Sequence, residues 1–211
     1  MKRALIIAGG WDGHHPEKIA ELFSGELQKS GYRVQIEKNL DALDSPTLSD
    51  DFDLIFPGWT MGQLTGTQSQ GLSNAIRSGV GLGGIHGGMG DAFRGNLDYE
   101  WMVGGHFVGH PHVGDYLVEK TAISHEITDF LPGSFSYKSE QYYMMIDPGI
   151  TVLADTAYTY EGRTCRMPVI WTKYWGQGRV FYSALGHQPQ EFIDYPEVLA
   201  MTVRGLLWAT R

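Results

Sequence analysis

Val80-Gly-Leu-Gly-Gly-Ile-His86-Gly-Gly-Met-Gly90 reads as a buried strand that runs into a sharp glycine turn with a histidine at its apex. Val80, Leu82 and Ile85 supply the apolar run, and Gly83, Gly84, Gly87 and Gly88 remove the β-carbons that would clash in a strand-to-helix elbow. Elbows of this kind usually carry a nucleophilic Ser or Cys. Here the apex is His86, which can take a proton, give one or bind a metal, and can equally do no more than hydrogen-bond within the turn.

The flanking segments extend the pattern. Ala4 to Ala8 is a continuous apolar strand of the kind covered on both faces, ending at Gly9-Gly10 in a loop with Trp11, Asp12, His14 and His15. Pro16 opens a helix with Ile19, Leu22, Phe23 and Leu27 at helical spacing, and Gly31 suits its C-terminal cap. Tyr32 to Glu37 and Asp53 to Phe56 read as strands, and Gln68 to Arg77 as a helix before the Val80 strand. This rhythm predicts a parallel sheet with helices on its faces. Ligands of such sheets bind beyond the carboxyl ends of the strands, where His14, Trp59 and His86 would share one cleft. The middle, Arg94 to about Tyr143, reads as irregular apart from a strand at Val113 to Glu119. Ile150 to Ala154 is a further short strand, Val169 to Ser183 makes a hairpin ending in Leu185-Gly-His187, and Pro196 begins the last helix.

The chain of 211 residues suits one domain spanning 1–211. A net charge of -8 with 42% hydrophobic residues argues against a nucleic-acid partner, and no apolar stretch approaches the roughly 20 residues needed to cross a bilayer. Cys165 is the only cysteine, which rules out an intramolecular disulfide and a Cys-rich zinc site and is compatible with a reducing cytoplasm. The apolar run after Lys2-Arg3 is too short for an export signal.

Several side chains are candidates for chemistry. His110 and His112, in Gly109-His-Pro-His112, could place two imidazoles on one side of an extended segment as a partial metal site, with Glu140, His14, His86 or His187 as a third ligand. Glu140 lies among aromatics, where desolvation would raise its pKa toward the range of a general acid or base. Asp91 suits a helix cap and Arg94 a substrate clamp. Trp11, Trp59, Phe93, Tyr99, Trp101 and Tyr142 supply flat rings of the kind that stack on sugars, or that fill a core.

Taken in order, these motifs resemble the ThuA-like, or trehalose utilisation, family of the class I glutamine amidotransferase-like superfamily. The resemblance rests on Gly84-Ile-His86-Gly, Asp91-Ala-Phe-Arg94, Trp101 with Gly104-Gly-His-Phe107, and His110-Pro111. It continues through the Ser124-His125 turn before Leu131-Pro132, Ser139-Glu140-Gln-Tyr142 in place of the family's usual Asp-Glu-x-Tyr, Pro168-Val-Ile-Trp171, and Gly178 to Tyr182 followed by Leu185-Gly-His187. It implies a flavodoxin-like three-layer α/β sandwich with a mostly parallel central sheet. It also implies a role in carbohydrate catabolism, often beside dehydrogenases that make 3-keto sugars. His86 stands where an amidotransferase has its cysteine, so glutamine hydrolysis through a thioester is excluded.

The function expected is that of an enzyme acting on an oxidised sugar or glycoside by isomerisation, elimination or hydrolysis. His86, Glu140 and His187 are the catalytic candidates, and His14, Trp59, Arg94, Trp101 and Tyr142 the substrate-binding ones. His110 and His112 are candidate ligands of a divalent metal, which is the one cofactor the residues suggest. The alternatives are a sugar-binding or regulatory module without chemistry, and a metal-dependent hydrolase of another small molecule. The expected partner is a small sugar, with no nucleic acid and no membrane, and the aromatic middle could serve a homo-oligomer.

Overall fold

A computed structural model describes residues 1–211 and shows one nine-stranded mixed sheet with helices on both faces. Its strands are β1 (Arg3–Gly10), β2 (Arg33–Glu37), β3 (Leu54–Thr60), β4 (Gly81–Ile85), β5 (Gly105–Lys120), β6 (Ser134–Ile146), β7 (Thr151–Tyr160), β8 (Arg163–Trp175) and β9 (Gly178–Ser183). The helices are α1 (Pro16–Lys29), α2 (Leu48–Asp51), α3 (Gly66–Arg77), α4 (His86–Gly90), α5 (Leu97–Val103), α6 (Glu191–Asp194) and α7 (Pro196–Ala209). No helix is long and apolar enough to cross a membrane.

The strands lie in the order β2-β1-β3-β4-β9-β8-β7-β5-β6. The first five run parallel, and the β1 strand buries Ala4 to Ala8 completely because helices cover both its faces. On one side α1 and α7 pack on the sheet and on each other, with Phe23 of α1 against Phe56 of β3 and Phe192 of α6. The α3 helix packs with α2 and α5 in the other layer and starts from a capping box, Thr65 and Gln68 each bonding the other's backbone N–H.

The mostly parallel sheet expected from the sequence is half right. From β9 onward the pairings are antiparallel: β9 with β8, β8 with β7, β7 with β5, and β5 with β6. For β7 with β8 and β8 with β9 the cause is connection length. The β7 and β8 strands are joined through Glu161-Gly162 and β8 and β9 through Gly176-Gln177, whereas a parallel return needs about a dozen residues.

The middle segment is likewise more regular than its composition suggests. Residues 105–120 and 134–146 form two long arms of an antiparallel pair, and the Gly, His and Pro residues that read as irregular sit in two β-bulges between Phe107 and His112. The Ile150 strand also runs further than expected, to Tyr160.

Candidate active site

Four carboxyl ends of the parallel strands supply the site. The order reverses between β1 and β3, and at such a reversal the helices diverge and leave a crevice. His14 follows β1 in a single 3-10 turn, Thr60 ends β3, His86 follows β4, and His187 follows β9. From the antiparallel half, β6 sends Glu140 and Tyr142 into the same crevice, two residues apart and so on one face of the strand.

His86 is the most constrained of these. Its backbone has φ 42, the left-handed region that costs a non-glycine residue about 1–3 kcal/mol. Three contacts hold it there. Its Nδ1 lies 2.8 Å from the Ala184 carbonyl, its own carbonyl accepts from Tyr182 Oη at 3.0 Å, and the Tyr142 ring lies over its imidazole at 4.0 Å. A carbonyl can only accept, so Nδ1–H donates to it, and the other ring nitrogen, Nε2, lies 3.2 Å from Glu140 Oε2. The elbow glycines are needed for close approach: a β-carbon at Gly87 would overlap the His14 ring and lie 3.0 Å from Tyr142 Oη.

His14, His86 and His187 form a nearly equilateral triangle of imidazoles, with ring centroids 5.0, 5.1 and 5.1 Å apart. His14 Nδ1 is paired with Thr60 Oγ1 at 2.8 Å. His187 is held through its backbone N–H on Glu191 Oε2 at 3.1 Å, while its buried Nδ1 has no hydrogen-bond partner and lies 3.6 Å from Glu140 Oε2. One ligand-capable atom from each of His14, His86, Glu140 and His187 falls within 4.8 Å of all the others. This is the set that could hold a metal ion.

The electrostatics of the set overturn one expectation. Burial by itself would raise the Glu140 pKa, but the hydrogen bond from His86 and the charges of His86, His187 and His110 outweigh it and hold the carboxyl at about 2. Glu140 is therefore a permanent anion at neutral pH and a weak base. Burial, followed by the charges of His86 and His187, lowers His14 to about 3, and burial then His86 lower His187 as well. Both rings are neutral at pH 7.

The structure separates the remaining candidates. His110 stands half-exposed at the rim, with Nε2 3.6 Å from Glu140 Oε1 and its ring stacked on Tyr142. His112 is not brought to the cluster: the bulged, exposed segment that carries it turns its Nε2 onto the Asp115 carbonyl at 3.2 Å. Arg94 is clamped on buried Asp91 by bonds of 2.5 and 2.8 Å and reaches over Phe107, whose ring touches Tyr142. Trp59 packs over Gly9 and Gly62 instead of opening into the crevice, and Trp101 is exposed on α5 beside Lys173. Trp11 meets His14 edge to face at 4.7 Å.

Three groups that position the site had no clear mark in the sequence. Thr60 and the Ala184 carbonyl are set opposite histidines only by the fold. Glu191 bonds Tyr137 Oη, Ser139 Oγ and the His187 N–H, and its spacing of four from His187 was the one available signal.

A family model described as ThuA, trehalose utilisation, matches residues 3–209. A ThuA-like protein from Bacteroides uniformis superposes with a TM-score of 0.78 at 17% identity, covering 100% of this chain and 93% of that one. One from Parabacteroides merdae gives 0.78 at 17%, covering 99% and 89%. A cytoplasmic protein from Salmonella typhimurium gives 0.66 at 12%, covering 99% and 100%. Among curated proteins none matches the sequence.

Proposed function

The chain belongs to the ThuA family, and from that premise we propose that it is an enzyme that moves a proton next to the ketone of an oxidised, 3-keto sugar or glycoside. The result is isomerisation, or elimination followed by hydrolysis. The observation that carries this reading is the Glu140 carboxylate shared by imidazoles of two kinds, buried His86 and His187 on Oε2 and half-exposed His110 on Oε1.

A C–H beside a ketone is acidic enough for an imidazole to take its proton, provided the resulting enediolate oxygen is stabilised. His110 at the rim is the proton carrier in this scheme. Once protonated, it faces the Glu140 carboxylate at 3.6 Å and becomes half of an ion pair. His86, His187 and His14 form the inner wall that receives the ketone oxygen. Tyr142 and Arg94 border the crevice on the side of His110 and suit the sugar hydroxyls. The absence of a cysteine at the elbow fits a protein without glutamine amidotransferase activity.

Turnover of 3-keto-trehalose by wild type, His86→Ala, Glu140→Ala and His110→Ala tests the scheme. Wild type should convert it, His110→Ala should lose about 100-fold or more in kcat as for a removed general base, and glutamine should not be hydrolysed. Full activity in both His86→Ala and Glu140→Ala would remove the assignment. Tight binding of sugars by calorimetry with no product formed would instead favour a binding module.

A further inference from the structure

We infer that His14, His86, His187 and Glu140 form a binding site for one divalent first-row transition-metal ion, with three imidazole nitrogens and one carboxylate oxygen as ligands. The inference goes beyond the proposed reaction and does not depend on it, since it concerns only how these four side chains are presented.

Four observations converge. The ligand-capable atoms lie within 4.8 Å of one another, although the residues come from three different strand ends and from β6. Two of the histidines have one ring nitrogen occupied from outside the cluster, His86 by the Ala184 carbonyl and His14 by Thr60 Oγ1, both at 2.8 Å. Metal-ligating histidines are oriented in this way, with the second nitrogen fixed by a carbonyl or hydroxyl and the other left as a lone pair. The third, His187, keeps a buried Nδ1 with no partner, which a hydrogen-bonded core would not leave unmade. Finally, the set suits the ion: imidazoles with one carboxylate select zinc, manganese, cobalt or iron over magnesium or calcium, which prefer oxygen alone.

The placement differs from the His110 and His112 pair that the sequence suggested. His112 is committed to the Asp115 carbonyl, and His110 stands outside the four at the rim. An ion among the inner residues would face the crevice at the place where the scheme above puts the ketone oxygen, and would polarise it there.

The test uses the full chain without a histidine tag, stripped with chelator and titrated with Co(II), followed by visible absorption, and with Zn(II) by calorimetry. The expected result is one ion per chain, with the absorption of nitrogen- and oxygen-ligated cobalt. Thr60→Val, which removes the hydroxyl behind His14, should weaken binding by about 10–100-fold. His187→Gln and Glu140→Gln should abolish stoichiometric binding, and His112→Ala should bind as wild type. Failure to bind one ion per chain would overturn the inference, as would undiminished binding in Glu140→Gln, a near-isosteric change that keeps the test decisive if His187→Gln does not fold. No substrate is present in this titration, so its failure would leave the proposed sugar chemistry standing. Equally, loss of that chemistry would leave the site standing.

Discussion

At the scale of the residue, the crevice is set by how closely three imidazoles can approach. Gly87 is the limiting point, because a β-carbon there would overlap the His14 ring. Gly87→Ala should cost about 1–3 kcal/mol as overpacking and displace His14. Thermal unfolding should show the first effect, and loss of 3-keto-trehalose turnover in a still-folded protein the second. The titrations fix a second prediction. Glu140 has its pKa held below the usual 4.5, at about 2, so its contribution to stability is complete above pH 4.5 and is lost as pH falls toward 2. His14 is held at about 3 against the usual 6.5, so below pH 6.5 the unfolded chain takes a proton that the folded one refuses, and stability falls again as pH drops toward 3. Melting of the chelator-treated protein should therefore become easier from pH 6.5 downward. Glu140→Gln should flatten the part below pH 4.5, and His14→Gln the part between 6.5 and 3.

At the scale of the element, α7 seats closely against β4 because Gly81 and Gly83 present no β-carbon to it. A β-carbon at Gly81 would overlap the Ala209 carbonyl, a backbone atom that cannot turn aside, whereas one at Gly83 would meet Leu206 Cδ2 at 2.7 Å, the end of a side chain that can rotate. Gly81→Ala should cost at the upper end of the roughly 1–3 kcal/mol range of overpacking, and Gly83→Ala less. Urea unfolding of the two variants gives the comparison directly. The glycine-rich strand that announced the fold thus does two things: it admits the elbow at His86 and it lets the last helix close over the sheet.

At the scale of the whole molecule, a buried ion pair ties β8, inside the antiparallel half, to the end of β6 at its outer edge. Lys173 Nζ of β8 lies 2.5 Å from Asp147 Oδ2, both side chains almost fully buried, and Lys173 also reaches the Trp101 carbonyl of α5. Removing one partner leaves the other charge stranded, so Lys173→Met should cost about 3–5 kcal/mol. Adding Asp147→Asn should recover part of that loss, because no charge then stays buried. A double-mutant cycle by chemical denaturation measures the coupling.

The sequence by itself determined the parallel core and the location of the crevice. Continuous apolar runs mark strands buried on both faces, proline marks the starts of α1 and α7, Gly31 follows the end of α1, and the elbow marks a strand end. It also named His86, Glu140 and His187, since their residue types and positions after strands or among aromatics are local facts. Only the tertiary structure decided what those residues form. The direction of β5 to β8 depends on which strand each hairpin meets, and the convergence of His14 with His86, His187 and Glu140 depends on contacts between residues up to 173 positions apart. The Glu140 pKa moved opposite to the expected direction for the same reason: burial is foreshadowed by neighbours in the chain, but the three histidines that outweigh it arrive from other strands and other loops.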